Sequence, residues 1–165
     1  MVSHPKNAAG RQGKRIAAVA TVGAVMCAGL VAMGSSAHAA GDFCFSVKKY
    51  KDGSAQITIN PQHRSRITGV VQWQADPGTF PLWIKKGDTL RVNDADGDGY
   101  SIFGQVVHAN GAPKYYRSGH TAGHKAPYSV IKSENLAEGR KLQLRACVTK
   151  GAKNIQCSPY YAIHA

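Results

Sequence analysis

Beyond residue 40 the chain contains no run of ten residues in which apolar side chains recur at helical spacing. It contains instead short runs of alternating apolar and polar residues, each ended by a cluster of Gly, Pro, Asn or Asp. Many short strands at intervals of about ten residues are typical of a two-sheet sandwich or a barrel. The predicted strands cover residues 43–49, 54–60, 67–75, 80–85, 88–93, 100–109, 113–118, 127–132, 140–150 and 155–163.

The C-terminal part of the chain favours the sandwich. "LAEGRKLQLRACV" joins a polar, glycine-containing turn to a long strand, and a hairpin then leads into the last strand. Fibronectin-like and immunoglobulin-like sandwiches enter their penultimate strand in this way. We therefore predict an all-β, antiparallel two-sheet sandwich of this type with one disulfide. Alternation assigns the side chains of the long strand to two faces: Leu142, Leu144 and Ala146 to one, and Gln143, Arg145 and Cys147 to the other.

Residues 1–39 have the features of a signal peptide. Four basic residues and no acidic residue precede an apolar run from Ile16 to Gly34, and Ala37-His38-Ala39 forms a small-residue cleavage site. An uncleaved membrane anchor is the alternative, because the run is about long enough to span a bilayer. The Ala/Gly-rich composition and the cleavage site favour removal of the segment. The sequence thus predicts one secreted, extracellular domain over residues 40–165, with no membrane span after the leader is removed.

Residues 40–165 form a basic domain. They contain 17 of the 21 Lys and Arg residues and all nine Asp and Glu residues, which gives a net charge of +8. Such a balance favours an anionic partner, for example a cell-surface polymer. The alternative is that the charge only keeps a secreted protein soluble. The basic residues are scattered along the chain, and we do not predict nucleic acid as the partner.

Three cysteines remain in the predicted mature domain: Cys44, Cys147 and Cys157. Export favours a disulfide, and each of the three possible pairs leaves one thiol over. "RACVTKGAKNIQCS" reads as strand, turn and strand, so Cys147 and Cys157 could face each other across a hairpin. We favour that pair. Cys44 would then be a buried free thiol or would form a bridge to another chain.

Two stretches resemble a group of small secreted actinobacterial proteins. "DADGDGYSIFGQV" and "LRACVTKGAKNIQCS" are similar to their D-x-x-A-D-G turn, short strand and C-terminal R-A-C-V…C-S hairpin. The resemblance covers residues 88–158, roughly half of the mature chain. It implies a secreted compartment and a β-rich fold, with Cys147 and Cys157 as the paired cysteines and Asp98-Gly99 as the turn. It implies no activity.

"DADGDG" raises the question of a calcium site. Asp94, Asp96, Asp98 and Gly99 occupy positions 1, 3, 5 and 6 of an EF-hand loop, but the twelfth position is Gln105 instead of the bidentate Glu. The flanking segments also alternate like strands, whereas an EF-hand requires helices. We predict a structural turn that pairs strand 88–93 with strand 100–109 as a hairpin. A weak extracellular calcium site is the alternative.

"SGHTAGHK" places His120 and His124 four residues apart, a spacing that suits zinc only on a helix. The two glycines predict a loop with solvated imidazoles instead. His63 and His108 could in principle join the pair. We predict no catalytic residue, no cofactor and no metal site. The alternative function is a small basic secreted hydrolase or nuclease toxin that uses His120 or His124.

The aromatic residues divide into core and surface. Trp73 alternates with Val71 and is predicted to lie in the core. Adjacent aromatic residues on a strand point to opposite faces, so one residue of each of the pairs Tyr115-Tyr116 and Tyr160-Tyr161 should be exposed. Exposed aromatics beside Lys and Arg suit a recognition surface. We therefore predict a non-catalytic secreted binding module, an adaptor or inhibitor that engages another extracellular protein or a surface polymer. An antagonistic toxin assembly is one setting for such an adaptor. Its candidate interaction residues are Trp83, Tyr115, Tyr116, Tyr160 and Tyr161.

Overall fold

The computed structural model describes residues 42–62, 66–78, 85–109 and 115–165. The predicted leader and most of the predicted strand 80–85 lie outside these ranges. Every regular element in the described ranges is a β-strand. No helix that is long and apolar enough to cross a membrane occurs in them.

The described residues form ten strands in two antiparallel sheets. The first sheet has the order β1-β2-β3-β4-β7, and the second has the order β10-β8-β5-β6 with β9 also paired to β8. The predicted all-β sandwich is confirmed, and the crossings of the chain between the sheets after β4, β6 and β7 are compatible with an immunoglobulin-like arrangement. The strands are β1 Phe43–Lys49, β2 Ala55–Pro61, β3 Gly69–Gln74, β4 Thr89–Asp94, β5 Ser101–His108, β6 Tyr115–His120, β7 Tyr128–Ser133, β8 Lys141–Lys150, β9 Lys153–Cys157 and β10 Tyr161–His164.

The core lies between the sheets, where the apolar residues of each alternating strand meet. Trp73 is fully buried there, as predicted, and its indole Nε1 donates a hydrogen bond to the backbone oxygen of His164 at 2.9 Å. Leu142, Leu144 and Ala146 of β8 are also fully buried, which confirms the predicted faces of that strand. The other fully buried large apolar residues are Ile57, Ile59, Val71, Leu90, Val92, Ile102, Val106 and Val148.

Gly104 sets the separation of the sheets at the centre of the core. A Cβ atom at this position would lie 2.6 Å from Val92 Cγ2 and 2.8 Å from Val71 Cγ1, both in the first sheet. These distances are shorter than any normal carbon–carbon contact. The close approach of β5 to β3 and β4 therefore requires glycine here.

The structure corrects two of the predicted connections. Strands β4 and β5 do not form a hairpin: β4 pairs with β3 and β7, whereas β5 pairs with β6 and β8 in the other sheet. The "DADGDG" segment is thus a corner between sheets. The predicted strand 155–163 is divided into β9 and β10, because Pro159 lacks the N–H that a continuous ladder needs.

The disulfide prediction is confirmed for Cys147 and Cys157. These residues are directly paired in the register of β8 and β9, and their sulfur atoms are bonded. Cys44, in β1, is likewise disulfide-bonded, so the free thiol predicted for it is wrong.

Side-chain contacts join the two sheets along both open sides. On one side the Gln156 amide forms two hydrogen bonds with the backbone of Phe43, one to its N–H at 3.1 Å and one to its oxygen at 2.8 Å. On the other side Arg117 of β6 pairs with Glu134, which follows β7. The first contact fixes the start of β1 against β9 and shapes the surface near the inter-sheet corner.

Candidate functional site

The outward face of the second sheet combines aromatic, amide and guanidinium groups. The register of β5 with β6 and β8 places their outward side chains in rows across the sheet. We call this surface the Tyr160 face. It consists of Phe103, Gln105, Ser118, His120, Arg145, Cys147, Thr149 and Tyr160.

Tyr160 is held in one position by two neighbours. It is 42 % exposed, and its hydroxyl accepts a hydrogen bond from Gln105 Nε2 at 2.5 Å. The Arg145 guanidinium lies 4.9 Å from the ring centroid, and its Nη1 donates to the same hydroxyl at 3.4 Å. Gln105 itself is buried. An exposed ring that is already ordered loses little side-chain entropy when a partner binds, which favours affinity.

His120 forms a second group on the Tyr160 face. Its Nε2 lies 2.9 Å from Thr149 Oγ1, and its ring meets Phe103 edge to face at a centroid distance of 5.9 Å. Burial lowers the pKa of His120 below its usual value. At neutral pH the imidazole is therefore neutral, and Arg145 is the principal positive charge in this group of residues.

The disulfide lies in the same row of the sheet. Cys147 pairs with Phe103 on one side and with Cys157 on the other. The bond therefore fixes β9, a strand of five residues, at the border of the Tyr160 face. It also fixes the start of the segment that carries Tyr160.

The acidic residues lie elsewhere. In the described part of the chain, the rows that make up the Tyr160 face contain no Asp or Glu. Asp88 and Asp94 are buried, and burial raises the pKa of each. Asp96 pairs with Arg66, and Glu134 pairs with Arg117. The Tyr160 face therefore carries the positive charge of Arg145 with no carboxylate beside it to offset that charge.

The aspartates of the inter-sheet corner each bind a group of the protein. Asp94 accepts hydrogen bonds from the backbone N–H of Asp96 at 3.3 Å and from the Thr121 hydroxyl at 3.2 Å. Asp96 Oδ2 lies 2.6 Å from Arg66 Nε. Asp98 accepts from the backbone N–H of Tyr100 at 3.0 Å. These contacts are those of a structural corner, in which short acidic side chains satisfy backbone and hydroxyl donors.

Adding calcium is expected to leave the melting temperature unchanged within about one degree. A site with a Kd of about 1 mM would add about 1.4 kcal/mol at roughly 10 mM calcium, which is a shift of several degrees. Asp96 would have to release Arg66 to bind the ion. Thermal unfolding with calcium and with equal magnesium distinguishes the two cases. A calcium-specific rise that Asp96→Ala abolishes would show that the corner is a metal site.

The structure places the predicted interaction residues in different environments. Tyr160 is exposed, whereas Tyr116 and Tyr161 are partly buried and pack against the core. Tyr115 belongs to β6, but its side chain lies outside the described residues, as does the whole of Trp83. Of the predicted interaction residues whose side chains the structure describes, Tyr160 is the one that is exposed and contacts Gln105 and Arg145.

The histidines of the alternative hydrolase hypothesis have separate partners. His120 is in β6 rather than in the predicted loop, and it contacts Thr149. His124 is exposed and stacks on Tyr128 at a centroid distance of 3.8 Å. His108 contacts Tyr116, and His63 is outside the described ranges. The described residues contain no group of three His, Cys, Asp or Glu side chains that could hold a metal ion.

Sequence reasoning missed Gln105 and Phe103 as members of the face. Alternation along β8 predicts Arg145 on the face opposite Leu142, Leu144 and Ala146, but it does not say which strands lie beside it. The alternation along β5 carried the same signal: Ile102 and Val106 are apolar and buried, so Phe103 and Gln105 between them point outward.

No known protein family, curated protein or solved structure matches this chain.

Proposed function

We propose that the mature chain is a secreted, non-catalytic binding module that docks on the acidic surface of another extracellular protein through the Tyr160 face. The observation that carries the proposal is the ordered group formed by Tyr160, Arg145 and Gln105. Tyr and Arg are the residue types that most often dominate the binding energy of protein interfaces. Here one of each is held by its neighbours on the outward surface of a β-sheet.

Charge complementarity supports an acidic partner. Arg145 supplies a positive charge, and the described part of the Tyr160 face has no carboxylate to repel an acidic surface. A protein suits this face better than a polyanionic polymer. A polymer requires several cations in a row, whereas His120 is neutral at neutral pH because burial lowers its pKa.

Replacing Tyr160 or Arg145 with Ala is expected to weaken retention of the partner about tenfold or more, as loss of a central interface residue usually does. The immobilised mature protein is incubated with culture fluid of the producing organism, and the amount of each retained protein is measured. Retention should also fall with added salt.

Two variants on the opposite sheet serve as controls. Ile131 is 52 % exposed and Lys132 is also exposed, and both belong to the edge strand β7. Ile131→Ala and Lys132→Ala should retain the partner like the unchanged protein. Equal retention by the Tyr160, Arg145 and control variants would contradict the proposal, and so would recovery of this chain alone.

A further inference from the structure

We propose that a pocket beside the inter-sheet corner binds a neutral sugar ring. The pocket has a volume of about 370 Å³, which is within the range of small-ligand sites, roughly 300–1,000 Å³. It is separate from the Tyr160 face and independent of the protein-binding proposal. It is formed by the start of β1, the end of β2 and the corner, and its lining residues are Asp42, Phe43, Pro61, Gln62, Arg66, Asp98 and Tyr100.

One wall of the pocket is apolar. Phe43 and Tyr100 meet edge to face with ring centroids 5.1 Å apart, and Pro61 lies beside them. Phe43 is only 5 % exposed, so it supports the partly exposed Tyr100 ring from behind. An aromatic surface of this kind can contact the C–H groups of a sugar ring while polar groups bind its hydroxyls.

The other wall supplies hydrogen-bond acceptors and donors. The carboxylates of Asp42 and Asp98 can accept from hydroxyl groups, and the Gln62 amide can both donate and accept. Asp98 is oriented by its bond from the Tyr100 N–H. Arg66 is held by Asp96 and has further N–H groups that can donate to a ring or hydroxyl oxygen.

The balance of charge around the pocket selects a neutral ligand. Asp42 and Asp98 would repel a phosphate or a carboxylate. Arg66 is paired with Asp96, but Lys150, whose Nζ lies 6.0 Å from the centroid of the Tyr100 ring, would repel a cation such as a quaternary amine from the aromatic wall. A polyhydroxyl ring satisfies donors and acceptors on both sides without a net charge.

Hydrogen bonds hold the backbone at the start of β1 and at the end of β2 before any ligand binds. The backbone N–H of Gln62 donates to the backbone oxygen of Asp42 at 2.7 Å, which holds these two lining residues next to each other. The Gln156 amide holds the Phe43 backbone through its two hydrogen bonds. A prepared site of this kind loses little free energy to ordering on binding.

The test is an NMR titration of the mature protein with glucose, galactose, mannose and N-acetylglucosamine, with choline and inorganic phosphate as charged probes. At least one sugar is expected to shift the resonances of Tyr100 and the Gln62 side chain with saturation. The charged probes should cause no saturable shift at these residues. Absence of a saturable shift with all four sugars, or saturation by choline or phosphate alone, would overturn the proposal.

Variants then identify the site. Asp42 and Gln62 are exposed, so Asp42→Ala and Gln62→Ala should preserve the fold and weaken sugar binding about tenfold each, as loss of a hydrogen bond to a charged or amide group does. Tyr160→Ala should bind the sugar unchanged, since it is on the other surface. Unchanged affinity in both pocket variants would contradict the assignment.

Discussion

Replacing Asp94 with Ala is expected to destabilise the fold by about 2–3 kcal/mol. Asp94 is 2 % exposed and accepts hydrogen bonds from the Thr121 hydroxyl and the Asp96 N–H at the inter-sheet corner. Removing the acceptor leaves the buried hydroxyl of Thr121 without one of its partners, and each buried group that loses its partner costs about 1–3 kcal/mol. The free energy of unfolding from denaturant titration measures the effect.

Asp98→Ala is the matched control in the same segment. Asp98 is partly exposed and accepts from the Tyr100 N–H, so its loss should cost less than about 1 kcal/mol. Equal costs for the two variants would contradict the role of Asp94 as the buried anchor of the corner.

The pH dependence of a third variant, Asp94→Asn, has a defined sign. Burial raises the pKa of Asp94 in the folded state, so the folded protein binds this proton more readily than the unfolded chain. The wild-type protein should therefore gain stability relative to Asp94→Asn as the pH falls from neutral towards the unfolded value of 3.8. If the difference in the free energy of unfolding between the two proteins stayed constant over this range, the pKa of Asp94 would not be raised in the folded protein.

Removing the disulfide with Cys147→Ala and Cys157→Ala is expected to cost about 2–3 kcal/mol, or roughly 8–12 °C in melting temperature. The cysteines are ten residues apart in the sequence, and the bond restricts that loop in the unfolded chain. Calorimetry of the double variant gives the value. Lys153→Ala, in the same hairpin, changes an exposed side chain and should leave the melting temperature unchanged within about two degrees. A double variant as stable as the Lys153 control would contradict this account of the hairpin.

Local patterns predicted the strands and their faces because alternation depends only on neighbouring residues. For this reason alternation predicts Trp73 in the core and Leu144 on the same face of its strand as Leu142 and Ala146. Cys147 and Cys157 are predicted to pair because both lie in one short hairpin. Alternation does not determine which of the two sheets a strand joins. Asp and Gly suit a hairpin turn within one sheet as well as a connection between two sheets. The residues of "DADGDG" therefore do not show whether β4 and β5 pair with each other or lie in opposite sheets.

The Tyr160 face could not be assembled from the sequence. Gln105 and Tyr160 are 55 residues apart, and their contact depends on the pairing of β5 with β8 and on the path of the chain after β9. The division between β9 and β10 did have a signal, since Pro159 interrupts any ladder. An exposed Tyr directly after that proline was therefore foreseeable, whereas its bond to Gln105 was not.

Site-specific photo-crosslinking determines whether the partner docks on the Tyr160 face. A photoreactive residue replaces Ser118, which pairs with Gln105 on the Tyr160 face, or Ile131 on the opposite sheet, and each protein is irradiated in culture fluid. We expect a protein crosslink from position 118. Excess unlabelled wild-type protein should suppress it, and an excess of the double variant Tyr160→Ala, Arg145→Ala should not. Crosslinks of equal yield from position 131, or suppression by the double variant as strong as that by the wild type, would contradict docking on this face.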